Sequence, residues 1–330
     1  MQYIVLDLEW NQSPFGKEDE LKNMPFEIIE IGAVKLDENL NEVDTFHELI
    51  KPKVYKDLHY KTKQIVNLTM EELEKGKPFT EVMKAFLAWC GEEYIFCTWG
   101  VMDLSELQRN MEFYGMGEVY TTPLKYYDIQ KFFSLLHEDG KVRRTLHHVI
   151  EYLQLKEELR FHSALNDAIY TAQVIKHIDF EHIKKNYSID CYHIPATRKD
   201  EIHAVFDTYE KYISRGFKTR DDMMKDKEVL ALTCYQCNKN CHKKIRWYST
   251  NNAKTYYALG ICKEHGYLKG KIRAKQAENG LYYAIKTTKL VDEDGAQKVR
   301  DRQIQLRAKR RERRKRIAEE KRLNNAIKTQ

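Results

Sequence analysis

The stretch that most constrains the fold lies a few residues into the chain, at Tyr3-Ile4-Val5-Leu6-Asp7-Leu8-Glu9-Trp10-Asn11. Tyr3 to Leu6 is an aromatic and β-branched run of the kind that forms a buried strand, where an acidic residue is costly. Two acids follow, Asp7 and Glu9, and residues two apart in a strand share a face. Both carboxylates therefore project together from the far end of a central strand, which makes half of a metal site. A strand ending in a solvated acidic turn would give the same local pattern, so the decision rests on residues far downstream.

A chain of 330 residues suggests about two domains, at roughly 150 residues each. Its 42% hydrophobic content is enough for a sizeable core, and the 32% charged fraction indicates a large wet surface. No run approaches the ~20 apolar residues of a bilayer-spanning helix, and the amino terminus opens directly into the strand, so no membrane partner and a cytoplasmic location are expected. The seven cysteines are Cys90, Cys97, Cys191, Cys234, Cys237, Cys241 and Cys262. An odd number, crowded towards one end, favours metal binding over disulfides. The net charge of +6 is modest but concentrated at the carboxyl end, which points to an anionic polymer as partner.

Along the chain, Phe26–Val34 and Glu42–Ile50 read as two further strands that complete a meander. Thr69 and Glu72 form a capping box, and Pro78 opens a helix with an apolar stripe at Phe79, Val82, Met83, Phe86 and Trp89. A strand over Glu93–Trp99 is followed by helical periodicity through Leu104–Tyr114, Ile129–Leu136, Leu146–Leu153 and Ala168–Ile175. This pattern predicts a three-layer α/β domain over residues 1–180. Patterning weakens from Asp179 to Asp200, with Pro195 inside it, and predicts a linker over 181–229 carrying a helix at Ile202–Ile213. Aromatic strands beside the clustered cysteines mark a small domain over 230–290. A basic tail over 291–330 follows, in which Lys298 to Arg322 holds thirteen Lys or Arg against four acids. It is either a helix in contact with nucleic acid or a disordered run.

The acids that decide the first site are Asp103, in the turn after the fourth strand, and Asp167, in His162-Ser163-Ala164-Leu165-Asn166-Asp167. Ser163 is placed to cap the helix that follows, with His162 just ahead of it and Asp167 in its first turns. If these elements converge, Asp7, Glu9, Asp103 and Asp167 supply hard oxygen ligands for two divalent ions, magnesium or manganese rather than zinc. In-line cleavage of a phosphodiester needs such a set, since two ions about 3.5–4 Å apart can hold the attacking and departing oxygens. Asp7 is expected to bridge the ions, Glu9 and Asp167 to hold the one that carries water, and Asp103 to act largely through ordered water. Histidine ordinarily titrates near ~6.5, which suits His162 as the general base.

The segments DLEW, WGVMD and HSALND, in this order, resemble the motifs of the DEDDh exonucleases, the superfamily of RNase T and the proofreading subunit of DNA polymerase III. The resemblance covers roughly the first 180 residues and implies an RNase H-like fold, a mixed five-stranded sheet flanked by helices. Leu68-Thr69 and Trp99-Gly100 look more like the exoribonuclease branch that includes enhanced-RNAi and histone-mRNA 3′ exonucleases and KapD. That likeness implies removal of nucleotides one at a time from a free 3′ end of single-stranded RNA, with release of 5′-monophosphates. It also implies that Trp10 and Leu68 flank the terminal base; core or rim packing suits them equally. A DNA-directed exonuclease, and an RNA- or ribosome-binding adaptor with an incidental nuclease fold, are the alternatives.

Cys234-x-x-Cys237 and Cys262-x-x-His265 have the spacing of two zinc knuckles, and would form a zinc-ribbon-like domain around one structural zinc, with Cys241 as an alternative ligand. Tyr248, Tyr256 and Tyr257 beside basic residues would stack on bases or pack a small sheet. The tail residues Arg307, Lys309, Arg310, Arg311, Arg313, Arg314, Lys315 and Arg316 would attract phosphates irrespective of sequence, with Arg310, Arg311, Arg313 and Arg314 as the expected substrate contacts.

Overall fold

The structure is a computed structural model that describes residues 1–250 and 254–328, with side chains as far as residue 320. Residues 251–253, inside the expected ribbon, and 329–330, at the end of the expected tail, lie outside the described residues. The chain divides into two compact units, Met1–His193 and Ile194–Gln330.

In the first unit, β1 (Gln2–Asn11) pairs antiparallel with β2 (Glu27–Leu36), and β2 with β3 (Glu42–Leu49). Helices α1 (Tyr60–Ile65), α2 (Met70–Glu74) and α3 (Phe79–Cys90) then lead to β4 (Tyr94–Thr98), which lies parallel to β1. Next come α4 (Met102–Phe113), β5 (Leu124–Asp128), α5 (Ile129–His137), α6 (Leu146–Tyr152), α7 (Ala164–His177), α8 (Phe180–Ile183) and β6 (Ser188–Asp190). The sheet order is β3-β2-β1-β4-β5-β6. It is mixed and flanked by helices, but it has six strands where five were expected, because the three residues of β6 add an antiparallel edge to β5. Alternation along β1 sorts the layers. Tyr3 and Val5 pack with Phe132, Val149 and Ile175 from α5, α6 and α7, while Ile4 and Leu6 pack with Phe86 and Leu107 from α3 and α4. The predicted capping box is present at the start of α2, with Thr69 and Glu72 satisfying each other's backbone amides.

The first unit runs past residue 180 because Asp190, at the end of β6, accepts hydrogen bonds from Ser105 Oγ at 2.7 Å and Gln108 Nε2 at 2.8 Å, both on α4.

In the second unit the helix expected over Ile202–Ile213 is a hairpin instead, β7 (Ile202–Val205) and β8 (Glu210–Ile213), closed by the Phe206 N–H donating to the Tyr209 carbonyl at 2.8 Å. Burial alternates along β7, with Ala204 buried between exposed His203 and Val205. Two short helices, α9 (Arg220–Met223) and α10 (Lys227–Leu230), precede β9 (His242–Ser249), β10 (Thr255–Cys262), β11 (Gly266–Gln276) and β12 (Tyr282–Val291). These strands form an antiparallel sheet of order β7-β8-β12-β11-β10-β9. Residues 202–213 are thus part of this sheet rather than of a linker. The basic tail is a helix, α11 (Glu293–Lys328), whose Ala296 and Val299 pack on Leu259. From Arg307 to Glu320 its side chains are exposed. Among the described residues no helix is long and apolar enough to cross a membrane.

Candidate active site

Strand β1 is longer than its parallel neighbour permits. Pairing with β4 ends at Leu6 opposite Thr98, while β1 continues to Asn11. The edge freed beyond Leu6 is taken by the start of α4, where the carboxylate of buried Asp103 accepts the Leu8 N–H. Asp7 and Glu9 are therefore not at the end of β1, as its sequence suggests, but alongside the end of its neighbour. They share the side of β1 that carries Tyr3 and Val5, which is the side covered by α7.

On the other edge, Asp7 lies opposite Gly32 and Glu9 opposite Glu30. A Cβ at Gly32 would stand 2.0 Å from the Leu165 nitrogen and 2.1 Å from the Ala164 carbonyl carbon, so only glycine lets the first turn of α7 rest on β2. That contact delivers the third motif. Ligand atoms of Glu9, His162 and Asp167 lie within 4.8 Å of one another. His162 adopts φ +64°, and its N–H donates to Asp167 Oδ2 at 3.3 Å. Ser163 stands at the N-cap position, but its hydroxyl caps nothing: it donates to Glu30 Oε1 at 2.9 Å, the oxygen that His47 Nε2 also meets at 2.7 Å.

The acids are crowded. Burial, then the charges of Asp103, Asp167, Glu9 and Glu30, push Asp7 well above the ordinary carboxylate range. Burial followed by Asp167, Glu30 and Asp103 pushes Glu9 up to about 8. Burial raises Asp103 to about 7 against the pull of the Asp103 and Leu8 amides, and raises Asp167 to about 6 against the His162 amide. Among the described residues, Asp167 Oδ1 and Glu30 Oε2 are buried without a hydrogen-bond partner. A hard oxygen donor set with uncompensated charge and an orphaned inner oxygen fits divalent magnesium or manganese.

Of the residues expected to flank the substrate, Trp10 is half-buried with its ring 5.6 Å from that of Phe26, and Leu68 packs against Ile29, Leu58, Val66 and Leu73. Two supporting residues escaped the sequence reading. Asn11 bonds the Asp57 carbonyl and the His59 N–H, both at 2.9 Å, and Glu27 accepts the backbone N–H groups of Lys53, Val54 and Tyr55. Both tie the segment after β3 to the sheet. A buried glutamate inside the apolar run FEIIEIGAV was the available signal for Glu27 and Glu30, and the glycine in that run was the signal for Gly32.

The second unit gathers the cysteine motif. Cys234 Sγ lies 3.6 Å from His265 Nδ1, Cys237 Sγ 3.6 Å from Cys262 Sγ, and Cys262 Sγ 3.7 Å from His265 Nδ1. Ligands at about 2.3 Å for sulfur and 2.1 Å for nitrogen give tetrahedral edges of roughly 3.6–3.8 Å, so this group fits zinc without rearrangement. Backbone amides of Glu264 and His265 hold the Cys262 thiol down at about 6, which favours the ligating thiolate. Cys241, the alternative ligand, has its sulfur 4.0 Å from the Lys239 carbonyl. On α11, Arg310 donates to the Ser249 carbonyl, while Arg311, Arg313 and Arg314 are exposed.

The chain is 33% identical over 173 residues to a PolC-type DNA polymerase III of Thermotoga maritima, covering 52% of this chain and 11% of that protein. It is 30% identical over 112 residues to the probable 3′-5′ exonuclease KapD of Bacillus subtilis, covering 33% of this chain and 53% of that one. It thus spans about half of KapD and about a tenth of the polymerase. Among solved structures, the nuclease domain of 3′hExo, a DEDDh family member, bound to rAMP, is similar at a TM-score of 0.47 and 20% identity, covering 57% of this chain and 96% of that one. A 3′-exonuclease solved in 3′-end specific recognition of a histone mRNA stem-loop gives 0.43 and 20%, with 52% and 79% covered. The family model for exonucleases of the RNase T type matches residues 4–175, which hold Asp7, Glu9, Asp103, His162 and Asp167, and cover just over half of the 330 residues. The chain belongs to this exonuclease family.

Proposed function

We propose that this chain is a metal-dependent 3′-to-5′ exonuclease that acts on RNA one nucleotide at a time and releases 5′-monophosphates. The observation that carries the reading is the meeting of Glu9, His162 and Asp167 within 4.8 Å, beside the strand that Asp103 grips at Leu8. Asp7, Glu9, Asp103 and Asp167 would hold two magnesium or manganese ions, which when bound supply charge for the developing oxyanions and ease deprotonation of water. His162 takes the proton of the attacking water. It stands exposed just ahead of α7, with its backbone anchored on Asp167, so the imidazole meets solvent at the site's mouth. Glu30 and Ser163 hold the start of α7, and so the spacing of His162 and Asp167, without touching substrate. Trp10 and Leu68 are the residues proposed to bracket the terminal base. The Cys234, Cys237, Cys262 and His265 group would hold a structural zinc.

Purified protein with magnesium and 3′-labelled RNA is expected to release labelled mononucleotides from the first time point, and Asp7→Asn to abolish release. A ladder of internal fragments would sink the reading. The likeness to a DNA polymerase favours a second reading, in which DNA is the substrate. RNA and DNA strands of one sequence, compared side by side, separate the two, since only contacts to the 2′-hydroxyl distinguish them.

A further inference from the structure

The second unit contains a cleft of about 650 Å³ between its edge strand β9 and helix α11. One wall is a single face of α11, where Gln303, Leu306, Arg307 and Arg310 follow the i, i+3, i+4, i+7 spacing. Lys243 and Arg246 come from β9, so among the described residues four cations and no carboxylate line the space. Trp247, Tyr248 and Tyr256 add aromatic surface to the lining. These rings are held rather than loose: Trp247 Nε1 donates to the Leu230 carbonyl at 3.0 Å, and Tyr248 donates its hydroxyl to the Val299 carbonyl at 3.0 Å. Arg310 Nη2 reaches across to Ser249 Oγ at 2.9 Å, which fixes the helix against the strand and sets the width of the cleft.

Charge and rings together select the occupant. Uncompensated cations from both the strand and the helix favour a chain of phosphates. Fixed aromatic rings favour unpaired planar bases, which can stack without loss of ring freedom. We propose that this cleft binds single-stranded nucleic acid, with a base against the Trp247 and Tyr256 rings and neighbouring phosphates on Lys243, Arg246, Arg307 and Arg310. The inference rests on the reading of the chain as a nuclease only for its biological sense. Binding itself requires nothing of the carboxylate site.

The test is fluorescence anisotropy of 5′-fluorescein-labelled U12 with the full chain in magnesium-free buffer without chelator, so that zinc is kept, across a salt series. Each phosphate contact to a single strand contributes about −0.7 to the slope of log K against log salt. The exposed pair Lys243→Gln/Arg246→Gln is therefore expected to flatten the slope by about 1.4 and to weaken binding at least tenfold. Tyr256→Ala is expected to weaken binding about fivefold or more, with Tyr256→Phe at the wild-type level because the ring is kept. An unchanged slope and affinity in the double glutamine variant would overturn the proposal. So would displacement of U12 by a twelve-residue glutamate peptide as readily as by unlabelled U12, which would make the cleft a dock for acidic polypeptide. Mononucleotide release by wild-type protein in magnesium is scored separately, so failure of the nuclease reading and failure of this one give different results.

Discussion

Ser163 Oγ donates to Glu30 Oε1 at 2.9 Å, joining positions 133 residues apart. Because Ser163 sits between His162 and the first residue of α7, this bond sets where the histidine and Asp167 stand against β2. Breaking a hydrogen bond to a buried carboxylate costs about 1–3 kcal/mol. Ser163→Ala is expected to lower stability by about 1 kcal/mol, and Glu30→Ala by more because His47 also loses its partner. Both should lower kcat more than they raise KM if they act by positioning His162 and Asp167. Urea denaturation and steady-state rates in magnesium check this. Wild-type stability and kcat in Ser163→Ala would show that the bond positions nothing.

Gly32 makes a stronger demand. A methyl there collides with the backbone of Ala164 and Leu165, which has no rotamer to yield. Either α7 lifts from β2 or the strand shifts. Overpacking of this sort costs about 1–3 kcal/mol, and a misplacement of about 1 Å at a catalytic group can cost about 100-fold in rate. Gly32→Ala is expected to show both in thermal melts and in mononucleotide release. A variant that melts like wild type and turns over normally would mean that the helix does not rest on this strand.

Asp7 and Glu9 were legible because acids in an apolar strand break its pattern, and Asp103 and Asp167 because each falls in the first turn of a helix. The capping box at Thr69 and Glu72 was legible because both partners lie within one turn. What escaped was non-local. Ser163 reads as a cap from its neighbours, yet Glu30 outcompetes the helix end for its hydroxyl. The segment 202–213 was misread because Ile202, Ala204 and Tyr212 suit either period, and pairing with β12 decided for a hairpin. Strand β6, three residues long, is too short to show a period, and its place comes from Asp190 reaching α4.

Protons report on the acid cluster when metal is absent. Burial and mutual repulsion raise Asp7, carry Glu9 to about 8 and bring Asp103 to about 7. A carboxyl that holds its proton more tightly folded than unfolded makes stability fall as pH rises from the unfolded value, near ~4, through the folded one. In EDTA the denaturation midpoint is therefore expected to fall between about pH 4 and about pH 8, the range over which Glu9 and Asp103 pass from their unfolded to their folded values. Asp7→Asn, with one charge fewer, should unfold at a higher midpoint than wild type at pH 8 in EDTA. Adding magnesium should stabilise wild type more than the variant and narrow that gap. If Asp7→Asn is no more stable than wild type in EDTA at pH 8, the acids do not repel one another there.

Zinc can be tested without any nuclease assay. With the four ligand atoms within 4.8 Å of one another, the protein is expected to purify with one zinc per chain, and Cys262→Ser to lose it. Structural zinc contributes about 10 kcal/mol or more to the folding of small domains. Loss should therefore expose the amides around Cys234–Cys241 and His265 to hydrogen exchange while those of β1 and β2 stay protected. Stripped protein whose exchange in that region matches the zinc-loaded form would show that the sheet holds without it.

His162 separates chemistry from architecture. Its φ of +64° lies in the left-handed region, which histidine tolerates, asparagine favours and β-branched residues resist. His162→Asn is thus expected to fold with wild-type stability, keep its N–H on Asp167, and lose about 100-fold or more in kcat with KM little changed, the effect of removing a general base. His162→Val should lose stability as well, because its branched side chain cannot adopt that backbone without strain. Paired melts and initial rates on labelled RNA distinguish the two effects. An asparagine variant that is both stable and fully active would remove the imidazole from the proton path.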